Sequence, residues 1–216
     1  MKNVKLMPML MAGIVTFSSF SWATVETPFP NRSTNIAAKT TASVLSQTEI
    51  NSLRYMREEE KLAHDVYIHL YNRWKTPVFL NIANAEKIHT QAVANLLHQY
   101  QVTDSIPNEA GKFNHPELQK LYNQLTQQGE KSLMEAFKVG MLIEDLDIAD
   151  LQKAQQTVTQ NDIKMIYQFL EKGSRNHLRG FYRNLRQIGG DYQPQYITQT
   201  YFNRVVSSGI ERGRSF

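Results

Sequence analysis

The chain has 216 residues, with 24 Lys and Arg against 20 Asp and Glu, a formal net charge of +4, and no cysteine. Hydrophobic residues make up 41% and charged residues 20%, an ordinary globular composition that excludes collagen-like, low-complexity and wholly disordered chains. The lack of cysteine excludes a disulfide scaffold, a cysteine-ligated zinc or iron–sulfur site, and a cysteine nucleophile.

The N-terminal segment has the layout of an export signal. Two lysines precede an apolar run over residues 6–20, and Ser21 and Ala23 supply small residues at the positions that a signal peptidase reads. A single membrane anchor is the alternative, but the run is shorter than the roughly 20 residues that a transmembrane helix needs. We therefore expect a signal peptide over residues 1–23, cleavage after Ala23, and a periplasmic or secreted protein with no stable membrane anchor.

The charge that remains after cleavage bears on the partners. Cleavage would remove two lysines and no acid, which lowers the formal charge from +4 to +2. A charge this small argues against nucleic acid or an anionic lipid surface as the partner. Residues 24–45 are rich in Thr, Ser, Asn and Pro and lack hydrophobic periodicity, so they predict a flexible leader.

The following segment, residues 46–200, has the periodicity of helices. Ser46 and Glu49 form a capping-box pattern at the start of the first helix. Apolar residues spaced three and four apart then mark four long helices, and Pro77 fits the first position of the second. A shorter accessory helix follows the second one, and no window shows the alternation of a strand. We predict an all-α fold: a four-helix bundle with a short accessory helix and a C-terminal tail over residues 201–216.

Polar residues interrupt the apolar stripe of every long helix. Each lies near the middle of its helix, where a core position would favour Leu. The six residues are Glu60, Glu86, His89, Glu144, Asp147 and His177. Burying four carboxylates without partners would be very costly, and two divalent metal ions would cancel their charge. The convergence of these side chains therefore predicts a metal site.

The spacing on the second helix supports this interpretation. Glu86 and His89 are three positions apart, so both side chains can reach one metal from consecutive turns. Carboxylate oxygens and imidazole nitrogens suit iron, manganese or zinc, and the residue types leave the choice among these metals open.

At these residues the sequence resembles ferritin-like di-iron carboxylate proteins. The segment from Glu60 to Tyr67 resembles the first-helix motif of rubrerythrins, and Glu86 with His89 resembles their Glu-x-x-His motif. More closely, four strings are similar to the ferritin-like family catalogued as domain of unknown function 2202: YMREEEKLAHDVY, FLNIANAEKIH, GMLIEDLDIADL and GSRNHLRGFYRNL. The similarity runs over almost the whole predicted helical domain.

The resemblance implies a ferritin-like bundle with a di-iron centre, in which manganese or zinc are the alternatives to iron. Glu86 would link the two metals, and Glu60 with His89 would complete the coordination of one of them. The second metal would be held by Glu144, Asp147 and His177.

One position departs from the family pattern. The fourth helix of such proteins usually carries a second Glu-x-x-His, whereas here Ser174 lies three residues before His177. Glu171 lies off that face and does not replace the missing carboxylate simply, while Asp147 could compensate from the third long helix. The centre is therefore either dinuclear, bridged by Glu86 and a hydroxide, or mononuclear.

Neighbouring polar residues have simpler interpretations. Glu58 and Glu59 are expected on the solvated face of the first helix, and Asp145 and Asp150 are expected to be ordinary surface charges. Tyr67 is expected to be a plain core tyrosine rather than a hydrogen-bond donor to a ligand.

Three functional hypotheses follow. The leading one is an exported iron protein that oxidises Fe(II) with oxygen or peroxide as the acceptor, a ferroxidase-like oxidoreductase. The second is a non-catalytic metal-binding or structural bundle in the cell envelope. The third is a metal-free bundle whose buried acids pair with Arg57, Arg175 and Arg179. Metal ions and oxygen or peroxide are the expected partners, and the sequence leaves open both enzyme activity and a homodimer.

Overall fold

The computed structural model describes residues 44–213, which form six α-helices and no strand. The helices are α1 Gln47–Trp74, α2 Pro77–Gln99, α3 Pro116–Gly129, α4 Leu133–Thr157, α5 Asn161–Gln187 and α6 Gln199–Ser207. The all-α prediction is therefore confirmed for this part of the chain. The predicted signal peptide, and nearly all of the predicted leader, lie outside the described residues.

The helix ends follow from local chemistry. The Ser46 hydroxyl accepts a hydrogen bond from the Glu49 amide at 3.2 Å, and the Glu49 carboxylate accepts one from the Ser46 amide at 2.9 Å, which is the predicted capping box. Lys75 ends α1 in the left-handed conformation with φ of 52°, and Pro77 begins α2 two residues later. The tight connection folds α1 and α2 into a helical hairpin.

Two apolar clusters fill the interior, and each of the four long helices contributes to both. The Tyr67 cluster includes Tyr67, Phe79, Phe137 and Phe181. The Tyr167 cluster includes Leu53, Val93, Leu151 and Tyr167. Along α1, α2 and α5 the polar residues predicted to form the site lie between the two clusters. On α4, the buried apolar residues up to Ile148 belong to the Tyr67 cluster, and Leu151, one turn beyond Asp147, belongs to the Tyr167 cluster.

The order of the clusters along each helix gives the helix directions. The chain passes from the Tyr167 cluster to the Tyr67 cluster along α1 and α5, and in the opposite sense along α2 and α4. α1 packs on α2 and on α4, and α5 packs on the same two helices, so the contacting long helices run antiparallel. The accessory helix α3 covers α1 and α4.

The C-terminal segment folds back onto the rest of the domain. Tyr192 and Phe202 are buried in the Tyr67 cluster. The helix α6 was not predicted; it packs on α5, and the boundary predicted at residue 200 falls inside it. Beyond α6, Arg175 and Arg179 bind the Glu211 carboxylate, so the chain is held in place well past the predicted start of the tail.

Within residues 44–213, no helix combines the length and the apolar character needed to cross a bilayer.

Candidate metal centre

Glu86 occupies the middle of the polar layer. Its carboxylate projects from α2 and is only 2% exposed. One oxygen, Oε2, lies 2.8 Å from Nδ1 of His89, and the other, Oε1, lies 2.8 Å from Nδ1 of His177. The two oxygens of a single carboxylate therefore contact imidazoles from two different helices.

A second carboxylate stands beside each imidazole. Glu60 Oε2 on α1 lies 3.2 Å from His89 Nδ1, and Glu144 Oε2 on α4 lies 3.5 Å from His177 Nδ1. The ligand atoms of Glu60, Glu86 and His89 lie within 4.8 Å of one another, and so do those of Glu86, Glu144 and His177. These two triads, which share Glu86, are called the candidate centre below.

The two halves of the candidate centre face each other. The imidazole rings of His89 and His177 are nearly parallel, with 27° between their planes and 5.4 Å between their centroids. Each half contains two carboxylates and one imidazole, with one carboxylate in common. Such a set of donors suits iron, manganese or zinc, and it is present once in each half.

Several buried polar atoms in this layer have no hydrogen-bond partner among the described residues. They include Oε1 of Glu60, Oδ1 of Asp147 and Nδ1 of His177, which approaches Glu86 without hydrogen-bond geometry. Buried polar atoms are normally satisfied, because leaving one unpaired costs free energy. These atoms therefore fit the binding of a cation, which would give each of them a partner.

The pKa values of the groups in this layer show which of them bind protons when no metal ion is bound. Burial raises the pKa of Glu60 to about 7, although the His89 charge acts against this, and burial together with Glu86 raises the pKa of Glu144 to about 7. Burial disfavours the charged imidazole of His177, yet Glu86 and Glu144 raise its pKa to about 9. The pKa of Glu86 stays below its ordinary value because the two imidazoles outweigh its burial. Without metal, bound protons therefore reduce the negative charge of this layer, which metal ions would otherwise neutralise.

Tyr67 belongs to the surroundings of the candidate centre, and the expectation of a plain core tyrosine is wrong. Its hydroxyl donates a hydrogen bond to Glu144 Oε1 at 2.5 Å, and its side chain is fully buried. The bond occupies the Glu144 oxygen that does not face His177, and so fixes the orientation of the carboxylate.

Asp147 lies beside the candidate centre rather than in either triad. Its Oδ2 accepts a hydrogen bond from the Ser174 hydroxyl, which also contacts the Leu170 carbonyl at 2.9 Å. Ser174 therefore orients the neighbouring acid from the position where the family pattern has a carboxylate. The free Oδ1 of Asp147 leaves that acid able to take a further ligand.

Gly173 is a functional position that the sequence reasoning missed. A Cβ atom at this residue would lie 2.5 Å from Nε2 of His89 and would also overlap Cε1. The Phe169 ring lies edge-on to the same imidazole, with 5.4 Å between centroids. The bare backbone of α5 thus makes room for His89, and the only signal in the sequence is a glycine inside a helical pattern.

Three acids predicted to be exposed are buried. Glu58 accepts hydrogen bonds from the amides of Asn114 and His115, and Glu59 is only 3% exposed. Asp145 is fully buried. The prediction assumed one buried stripe per helix, but α1 is covered by α2, α3 and α4, and the C-terminal segment covers part of α4.

The three arginines bind carboxylates outside the candidate centre. Arg57 pairs with Asp104 at 3.0 Å. Arg175 pairs with Glu171 and Glu211, and Arg179 pairs with Glu211. The hypothesis that these arginines neutralise the buried acids is therefore wrong.

The chain was compared with known families and proteins. A family model described as "Uncharacterized protein domain (DUF2202)" matches residues 49–209. "Uncharacterized protein MJ0754" of Methanocaldococcus jannaschii is 48% identical over 170 residues, which is 78% of this chain and 92% of that protein. The crystal structure of "hypothetical protein MJ0754" from Methanococcus jannaschii matches with a TM-score of 0.76 at 47% identity, over 77% of this chain and 96% of that one. The family match covers α1 from residue 49 onward and all of α2 to α6.

Proposed function

The chain belongs to the DUF2202 family, and we propose that it is a metal-binding protein with a dinuclear carboxylate–histidine centre formed by Glu60, Glu86, His89, Glu144 and His177. The observation that carries this proposal is the position of Glu86, whose two oxygens each contact a different imidazole at 2.8 Å. A carboxylate that serves two donor sets at once is suited to link two cations.

The donor set supports iron first, with manganese or zinc as alternatives. Each half offers carboxylate oxygen and imidazole nitrogen and no sulfur, which suits these metals. Two divalent cations would also neutralise the buried carboxylates and give partners to the free atoms of Glu60 and His177. Two complete triads favour a dinuclear centre over a mononuclear one, and Asp147 lies outside both triads.

For the reaction, we propose ferroxidase-like chemistry. Iron held by Glu60, Glu86, His89, Glu144 and His177 would supply this chemistry, the oxidation of Fe(II) to Fe(III) with oxygen or peroxide as the electron acceptor. The chain's own residues set the conditions: Glu86 holds the two halves in register, and Tyr67 holds Glu144 by its hydrogen bond. The two apolar clusters on either side exclude water from the polar layer.

The overall arrangement and the location are part of the same proposal. The four antiparallel long helices, with one polar layer in the interior, are what a ferritin-like four-helix bundle requires. The lysines and the apolar run over residues 6–20 support export to the periplasm or the medium, with metal ions and oxygen or peroxide as partners.

A second candidate is a metal-binding protein without turnover. What favours it is the burial of the candidate centre: its five residues are at most 9% exposed, which also suits a metal that only stabilises the fold. The two candidates share the metal site and differ in the reaction with an oxidant.

The test is metal content together with Fe(II) oxidation in the chain over residues 24–216, purified without chelator and reloaded anaerobically with Fe(II). We expect about two iron ions per chain and oxidation on addition of oxygen or peroxide. Glu86→Ala combined with His89→Ala should lose both ions, because every donor set loses a member.

The matched control is Glu130→Ala, which removes an acid whose side chain is 51% exposed and far from the polar layer. It should bind metal like the unmodified chain, and circular dichroism should show both variants folded. Metal bound equally by the double variant would contradict the proposal. Tight binding without oxidation would favour the second candidate.

A further inference from the structure

A row of carboxylates continues from the candidate centre along α4. Glu144, Asp147 and Asp150 follow one another at intervals of three residues, which spans about 9 Å along the helix axis. Glu144 is 1% exposed and Asp147 is 6% exposed, whereas Asp150 is partly open to solvent. The row therefore leads from the buried layer to the surface.

Glu59 on α1 completes this row from the opposite side. Its carboxyl group lies within hydrogen-bond distance of that of Asp150, and its charge acts on Asp147. Its charge also acts on that of Glu60, a member of the candidate centre. Glu59 thus connects the partly exposed acid with both Asp147 and Glu60.

Among the described residues, some carboxylate oxygens of this row accept no hydrogen bond, although Glu144 and Asp147 each accept one from a hydroxyl. Glu59 is 3% exposed, and neither of its carboxylate oxygens has a donor among the described residues; the same holds for Oδ1 of Asp147. The Tyr55 hydroxyl contacts Asp150, and the cation that acts on Asp150 is the exposed Lys153. Unpaired carboxylates at this depth are costly unless a cation comes to them.

Bulk water does not hydrate Glu59 either. The residue borders a cavity of about 10 Å³ whose other lining residues are six aliphatic side chains and Tyr196. A cavity of this size holds about one water molecule. A partly dehydrated cation, however, would find oxygen ligands from Glu59 at the edge of this cavity and from Asp150 beside Glu59.

We propose that Asp150 and Glu59 form the uptake route by which divalent cations reach the candidate centre, passing Asp147 on the way. This inference rests on the proposed function, since a route needs a destination. Asp150 would capture the hydrated cation at the surface. Glu59 and Asp147 would replace its water as it moves inward. The route offers carboxylates alone, whereas each triad adds an imidazole, so cations are held less tightly on the route and pass on to the candidate centre.

The test is the rate of metal loading, measured apart from any turnover. The full chain is stripped of metal and mixed with Co(II) in a stopped-flow instrument, and the visible absorption of bound Co(II) is followed. Glu59→Gln and Asp150→Asn keep side-chain shape and remove charge. We expect each to slow loading about tenfold, within the range of electrostatic steering, with the final amount of bound Co(II) unchanged. The effect of Asp150→Asn should shrink as salt is added, because that acid is partly exposed.

Glu130→Gln, a charge change at an exposed acid, should load at the unmodified rate. If both route variants also load at that rate, the route is wrong while the candidate centre stands. If the variants load at the unmodified rate but bind less Co(II) at equilibrium, the two residues are metal ligands or structural residues. The route is wrong in that case too. If the unmodified chain binds no Co(II), the proposed function itself fails.

Discussion

At the scale of the residue, the candidate centre depends on side chains that fix the direction of its ligands. His89 is the clearest case, because its ring is confined on one side by Phe169 and on another by the backbone of Gly173. Glu86 and Glu60 both contact the same nitrogen of this ring. A rotation of the imidazole would therefore disturb a whole triad.

This confinement leads to a prediction for Gly173→Ala. The added methyl group would overlap the His89 ring, so the ring must turn, and we expect metal affinity to fall about 10- to 100-fold, as for other changes that misorient a ligand. Metal titration of the stripped chain measures the effect.

Gly180→Ala is the matched control on the same helix, because the nearest atom to its Cβ would be Ile82 Cδ1 at an ordinary 3.7 Å. Both substitutions raise helix propensity by up to about 1 kcal/mol, so their difference isolates the contact with His89. Equal metal affinity in the two variants would show that the His89 ring can move freely.

The residues of the candidate centre were found from the sequence because each interrupts a helical apolar stripe. Glu60, Glu86, His89, Glu144 and His177 lie on inward faces, and helical periodicity is enough to find such positions. Asp147 was not distinguished from them, because its distance from the triads depends on the hydrogen bond from Ser174 on another helix. Contacts of that kind depend on packing, which periodicity does not describe.

At the scale of the element, the main surprise is how much of α1 and α4 is covered. A single stripe is buried when a helix packs on one neighbour, but α1 touches three helices and therefore buries Glu58 and Glu59 as well. The starts of α1 and α2 were predicted because capping boxes and proline positions are local signals. The helix α6 was missed because its nine residues are held mainly by contacts with α5.

Asp145 shows what attaches the C-terminal segment to α4. Its carboxylate accepts hydrogen bonds from the Tyr192 hydroxyl at 2.8 Å and from the amides of Gln195 at 2.5 Å and Ile197 at 2.9 Å. Asp145→Ala leaves these buried donors without an acceptor, so we expect the free energy of unfolding to fall by about 2–4 kcal/mol. Urea unfolding measures the change.

The comparison for this prediction is Asp150→Asn, five residues further along α4 at a partly exposed position. It should change the free energy of unfolding by less than about 1 kcal/mol, since it removes no buried acceptor of backbone amides. If Asp145→Ala also changes the free energy of unfolding by less than about 1 kcal/mol, the C-terminal segment is held by the apolar contacts of Tyr192 and Phe202 alone.

At the scale of the whole molecule, the buried ionisable groups make stability depend on pH in two opposite ways. Burial would favour protonation of Glu49, but hydrogen bonds from the Thr159 and Ser46 amides outweigh it and lower its pKa to about 2 from the ordinary 4.5. A group with a lowered pKa stabilises the fold above its ordinary value, and this contribution is lost as the pH falls towards 2. On the acid side of the stability profile, Glu49, which lies outside the candidate centre, therefore acts together with Glu86, whose pKa is also lowered.

The alkaline side belongs to the candidate centre of the metal-free protein. His177, with its pKa raised from 6.5 to about 9, stabilises the fold below pH 6.5, and this contribution is lost as the pH rises through 9. Glu60 and Glu144, raised from 4.5 to about 7, bind protons more tightly in the folded state, so their contribution also falls as the pH rises from 4.5 to 7. All three shifts therefore predict a metal-free chain that is most stable near pH 5 and less stable at pH 8, by several kcal/mol.

Divalent metal should remove this alkaline weakness. At pH 8 metal ions would replace the protons of the polar layer, and binding to the folded state alone adds about 2.7 kcal/mol at a free metal concentration of 100 times Kd. Urea unfolding at pH 3, 5 and 8, with and without Mn(II), gives the six free energies of unfolding that test this prediction. We expect Mn(II) to stabilise the chain strongly at pH 8 and little at pH 3, where protons occupy the ligands. Glu86→Ala with His89→Ala should lose the metal effect at pH 8 and keep the part of the stability loss at pH 3 that comes from Glu49, because Glu49 is unchanged. A metal-free chain as stable at pH 8 as at pH 5 would show that the polar layer carries no excess of bound protons, and the electrostatic argument for cations in that layer would fail with it.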